Sequence, residues 1–134
     1  MILLDANILL YAYNADAPEH AAVAQWLEKL LASGETIGLP WVSLWAFLRI
    51  STNARLWPSP LPAAEAYEIV KEWLGQPGVV PIHPGQRHTG ILERLMIEHR
   101  VAGPRVTDAV LAALAMEQGA VLAWGNFLTL TLNF

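Results

Sequence analysis

The chain has 134 residues, 54% of them hydrophobic and only 15% charged, with a formal net charge of -4. That length suits one domain, residues 1–134, burying roughly two-thirds of its unfolded surface. The absence of cysteine excludes disulfides and thiolate metal sites and fits a cytoplasmic protein.

No apolar run reaches the roughly twenty residues that a membrane span needs. The N-terminus has neither a basic n-region nor a cleavage site, so neither a membrane partner nor a secretory signal is expected. Two lysines and six arginines cannot make a broad basic face, so any contact to nucleic acid has to be local.

Met1-Ile-Leu-Leu4 predicts a short, buried central strand. Asp5 follows where that strand ends. In open α/β sheets the crevice beyond the carboxyl ends of the strands is where ligands bind. The same residue suits the N-cap of a helix starting near Asn7, so a chemical role and a capping role stand side by side. Residues 8–13 predict a short helix or turn, broken over residues 14–18. Asp16 as N-cap and Pro18 in the first turn predict a helix to about residue 32. Its apolar face carries Val23, Trp26, Leu27, Leu30 and Leu31, and Ser33-Gly34 ends it.

Residues 36–39 can form a second strand. Pro40 opens a helix over residues 40–52 that is apolar almost all round, and so is buried or half of an interface. Trp41 and Trp45 lie one turn apart on it and are expected in the core or on a dimer surface. Arg49 is expected to be buried there and so to need an anion. Pro58, Pro60 and Pro62 make residues 55–62 an extended connector led by Trp57. Residues 63–74 predict an amphipathic helix with Tyr67, Val70, Trp73 and Leu74 facing in and Glu65, Glu68 and Glu72 solvated. A strand at 79–82, a helix over 85–100 and an alanine-rich helix over 109–118 closed by Gly119 follow. Residues 120–123 predict a fourth strand. The strict alternation of residues 127–134 predicts a half-buried strand, and Gly125-Asn126 between the two suits a hairpin turn that pairs the tail antiparallel with the fourth strand. The alternation of strands and helices predicts an α/β fold, a short central parallel sheet between helical layers.

Asp5 and Asp108 are about a hundred residues apart, yet a strand end and a helix start can face one crevice of such a fold. Two carboxylates held close repel each other unless a cation lies between them. Mg²⁺ or Mn²⁺, which prefer hard oxygen ligands and substrate phosphate, are the natural cations. Asn7 and Thr107 could then position water or phosphate, and Arg49 and Arg105 could hold an RNA backbone. Two helix caps with no metal is the competing explanation. His20, His83, His88 and His99 show no metal spacing.

Three blocks carry a family resemblance: Ile2-Leu-Leu-Asp-Ala-Asn-Ile-Leu-Leu-Tyr11, Gly38-Leu-Pro-Trp-Val-Ser-Leu-Trp-Ala-Phe-Leu-Arg-Ile-Ser-Thr-Asn53 and Val106-Thr-Asp-Ala-Val-Leu-Ala-Ala-Leu-Ala115. Together, over about residues 1–122, they resemble the signature blocks of PIN-domain ribonucleases, above all the VapC toxins of bacterial toxin–antitoxin pairs. The resemblance implies a Mg²⁺- or Mn²⁺-dependent endoribonuclease of a type II toxin–antitoxin system, commonly acting on tRNA or rRNA. It implies a homodimer silenced by a cognate antitoxin whose C-terminal tail lies in the active-site groove. The family's first acid falls on Asp5, its nearby polar residue on Asn7 and its later helix-borne acid on Asp108. The net charge of -4 predicts that the antitoxin is basic and that its binding weakens as salt rises.

Two departures stand out. Many family members carry a glutamate where this chain has Ala46. Their acid-rich turn after the fourth strand is here Ala123-Trp-Gly-Asn-Phe127, in which an amide is a weaker ligand for a hard cation than a carboxylate. The alternative function is therefore a catalytically degenerate PIN domain that binds metal or antitoxin without turnover. A dehalogenase-type phosphoryl-transfer enzyme would need a second aspartate where Asn7 stands.

Overall fold

Leu3 and Leu4 are both buried although they point to opposite faces of one strand, so the sheet they belong to is covered on both sides. The computed structural model describes residues 1–124 and the backbone of residues 129–130. Strands β1 (Ile2–Leu4), β2 (Ile37–Pro40), β3 (Val79–Ile82), β4 (Val121–Ala123) and β5 (Thr129–Leu130) form one sheet in the order β3-β2-β1-β4-β5. The first four are parallel. β5 runs antiparallel to β4, with Ala123 opposite Thr129, the pairing expected of a hairpin here; the rest of the strand expected over residues 127–134 lies outside the described residues. The turn at Gly125-Asn126 lies outside the described residues.

The helices divide between the two faces. On one side α1 (Ala6–Tyr13), α2 (His20–Ala32), α3 (Trp41–Ser51) and α4 (Ala63–Leu74) pack over Leu4, Ile37, Leu39 and Ala123, with Ile8, Leu9, Val23, Phe47 and Val70 at the centre. Phe47 meets Trp73 and Tyr13 edge-on at 4.7 and 5.9 Å between ring centroids. Trp57, at the head of the proline connector, lays its ring against Tyr13 and is anchored in this core. On the other side α6 (Arg105–Gln118) covers Leu3, Ile82 and Leu122 through Leu111, Leu114 and Ala115, and α5 (His88–Glu98) packs outside it through Leu95. Alanines at 109, 112, 113 and 115, all buried, let α6 lie close on the sheet.

Three sequence expectations are corrected and a fourth is narrowed. Asp16 caps nothing: its amide donates to Asn14 Oδ1 at 3.1 Å in a turn, and α2 begins only at His20, whose ring Nδ1 lies 2.8 Å from the Tyr11 carbonyl. Tyr67 is 48% exposed rather than inward, because the buried stripe of α4 runs through Ala66 and Val70 and leaves Tyr67 on its flank. Arg49 is exposed in the last turn of α3, so the premise that it is a buried arginine needing an anion fails. Of the two places expected for Trp45, core or dimer surface, its 62% exposure excludes the core.

Candidate active site at the carboxyl edge of the sheet

Parallel strands bring their carboxyl ends to one edge, and β1 lies in the middle of it between β2 and β4. Asp5 stands directly beyond β1. Its N–H donates to the Ala123 carbonyl at 3.1 Å, which ties it to the end of β4. It is also the N-cap of α1: its Oδ1 accepts from the Ala6 N–H at 2.6 Å, and its carbonyl accepts from the Ile8 N–H at 3.1 Å. The capping role and the exposure of a carboxylate to the crevice are therefore two properties of one residue. Asn7 follows in the first turn of α1, exposed.

Asp108 comes to the same place from the far end of the chain. α6 starts at Arg105, four residues before the sequence suggested, because Gly103 takes a left-handed φ of 58° and Pro104 presets the helical φ of its N-cap. Arg105, Thr107 and Asp108 thus share the first turn, where free N–H groups and the helix dipole favour negative charge. Arg105 and Thr107 are exposed and Asp108 is half-buried.

The two aspartates sense each other. Burial raises the Asp5 carboxyl above its ordinary value of 3.8. The Ala6 N–H works against that rise, the charge of Asp108 adds to it, and the Asn7 N–H again opposes it. A partly desolvated carboxylate that feels the charge of a second one is a site that favours a cation. Two hard oxygen donors in that state fit a Mg²⁺- or Mn²⁺-sized cation that completes its shell with water and phosphate. Among the described residues no third His, Cys, Asp or Glu joins them in a ligand cluster.

Of the residues singled out in the sequence, Asp5, Asn7, Arg105, Thr107 and Asp108 lie at the starts of two helices at this edge. Arg49 does not join them by contact; it stands eight residues, about 12 Å of helix rise, beyond Trp41. The helix start at Trp41 and the residue after β3, His83, also lie on this edge, as does Trp124 after β4. Ser43 Oγ and Trp124 Nε1 are buried and find no hydrogen-bond partner among the described residues, which no sequence signal indicated. The clamp of Glu117 on the loop before α5 was equally silent: its carboxylate accepts from the Gly85 and Arg87 N–H groups at 2.7 and 2.9 Å.

The family model for the PIN domain matches residues 2–126, nearly the whole chain. The chain belongs to the PIN domain family. It is 41% identical over 116 residues to Ribonuclease VapC31 of Mycobacterium tuberculosis, covering 87% of this chain and 82% of that protein. Ribonuclease VapC37 of the same organism is 40% identical over 120 residues, covering 90% and 83%.

Among solved structures the fold is similar to that of Mycobacterium tuberculosis VapC20, a sarcin-ricin loop cleaving toxin, with a TM-score of 0.65 at 18% identity over 95% of this chain and 92% of that one. It is also similar to a chain of Rickettsia felis VapBC2 bound to a DNA fragment of its promoter, with a TM-score of 0.63 at 20% identity, covering 91% and 85%. The α/β/α architecture predicted from the sequence is that of the PIN domain. No helix among the described residues is long and apolar enough to cross a membrane.

Proposed function

We propose that this PIN domain is a Mg²⁺- or Mn²⁺-dependent endoribonuclease, the toxin of a type II toxin–antitoxin pair, and that it acts in the cytoplasm as a homodimer. The carrying observation is the meeting of Asp5 and Asp108 at the carboxyl edge in a chain 41% identical to a VapC ribonuclease. Asp5 and Asp108 hold the cation. The chemistry such an ion supplies is neutralisation of charge on a phosphodiester and acidification of a water molecule. Asn7 and Thr107 orient that water or a phosphate oxygen. Arg105, in the same helical turn as Asp108, holds the RNA backbone, and Arg49 contacts it further along. Water attacks phosphorus and forms a new P–O bond as the bond to the leaving oxygen breaks; the proton that the water gives up is balanced by the one that the leaving alkoxide takes up. The cognate antitoxin is basic, complementing the net charge of -4.

The test is cleavage of total tRNA and rRNA by the purified, antitoxin-free protein in Mn²⁺, with EDTA and Asp108→Asn as controls. Cleavage lost in both controls supports the proposal. A second reading, a degenerate domain that binds without turnover, is favoured by the lack of a third ligand among the described residues. It would stand if Mn²⁺ bound but no RNA were cut.

A further inference from the structure

The carboxyl edge carries a second feature, on the opposite side of β2 from Asp5. Trp41 opens α3 directly after β2, and His83 follows β3 directly. Trp41 Nε1–H donates to His83 Nε2 at 3.3 Å, and the two rings lie 6.1 Å apart. Trp45, one helical turn on, stacks at a tilt against Trp41 at 6.3 Å and is 62% exposed. These three rings and Pro84 line a shallow open hollow. The Trp41 Nε1–H and the His83 Nε2 are engaged with each other, so the hollow offers mainly ring faces, with His83 Nδ1 as a further polar atom at its edge. None of its residues carries a permanent charge.

We propose that this hollow is a stacking site for an unpaired nucleotide base of the RNA substrate, displaced from the base at the scissile phosphate. The inference rests on the RNA-cleaving function proposed above. Three observations favour a base over an apolar protein side chain. The hollow shares its sheet edge with the acid pair. The ends of β2 and β3 are one and two strand spacings from β1, about 5 and 10 Å, within reach of the same RNA strand. The chain also has only eight basic residues against twelve acids, so phosphate contacts alone supply little affinity. Stacking on aromatic faces is uncharged, tolerant of sequence and suited to single-stranded or splayed-out bases. Trp45 is the free face of the stack, Trp41 its floor, and His83 fixes the Trp41 ring in place.

The test is binding of a fluorescein-labelled single-stranded RNA decamer, followed by anisotropy in EDTA, where no metal-dependent cleavage occurs. Trp45→Ala should weaken binding roughly tenfold, the scale of one base–aromatic contact, and Trp45→Phe should restore most of it. In decamers carrying one abasic site, the wild type should lose affinity at a particular position, and Trp45→Ala should be insensitive there. Equal RNA affinity of wild type and Trp45→Ala overturns the proposal, as does a wild type that binds no decamer. Loss of affinity that appears only when sedimentation shows an oligomer falling apart also overturns it, since the ring then serves a second copy of the chain. Because the assay needs no turnover, an inactive enzyme with Trp45-dependent binding would refute the nuclease function and leave the stacking site. An active enzyme indifferent to Trp45 would do the reverse.

Discussion

Gly38 sits in the middle of β2 and faces the α6 side of the sheet. A Cβ added there would lie 2.4 Å from Leu3 Cδ2 and 2.8 Å from Ile82 Cγ1. Both partners are buried, Leu3 fully and Ile82 at 4% exposure, and both belong to the core under α6. Ordinary carbon contacts begin near 3.5 Å, so Gly38→Ala forces at least two side chains to move by roughly an ångström within a close-packed layer. Overpacking of that kind costs about 1–3 kcal/mol. The lower chain entropy of unfolded alanine returns about 0.4–1 kcal/mol, leaving a net loss of about 1–2 kcal/mol. For a chain of this length that lowers Tm by about 3–7 °C, read by circular dichroism in a thermal melt without metal. A Tm equal to or above that of wild type would refute the packing described between β1, β2 and β3.

Two further predictions concern charge and capping. The raised carboxyl of Asp5 means that the folded state holds its proton more tightly than the unfolded state. The stabilisation from protonated Asp5 is full below 3.8 and is lost as pH rises from there through the raised folded-state value. Metal-free Asp5→Asn, which keeps a side-chain cap for α1, should therefore melt above wild type at neutral pH and below that advantage in acid; equal melts at both pH values would show that Asp5 is not desolvated. Glu117→Ala removes the acceptor of two loop N–H groups before α5, whose N-cap Arg87 has no side-chain cap of its own. It should cost about 1 kcal/mol and raise amide hydrogen exchange at Gly85 and Arg87; unchanged exchange there would mean that the clamp is not formed in solution.

Much of the site is visible in the residue order because its parts are local. Met1 to Asp5 announces a buried strand with an acid at its end. Asp108 is legible as an acid at a helix start, even though Pro104 sets that start four residues before the apolar pattern does. Strand order, and with it the meeting of Asp5 and Asp108, follows from how βα units assemble and is only suggested by their alternation. The exposure of Arg49, Trp45 and Tyr67 is not legible in the residue order, for one reason. A helix that is apolar nearly all round, or whose apolar stripe is broad, does not reveal which flank meets the sheet. Trp41 with His83, and Glu117 with Gly85, are contacts across more than thirty residues that leave no periodic trace.

Whether Asp5 and Asp108 share one divalent cation is tested most directly by calorimetric titration of Mn²⁺ into the wild type, Asp5→Asn and Asp108→Asn. Saturable binding to the wild type and its loss in each variant, with all three proteins folded, is the expected result. Wild-type affinity retained in either variant would contradict it and place the metal, and the chemistry that depends on it, elsewhere on the chain.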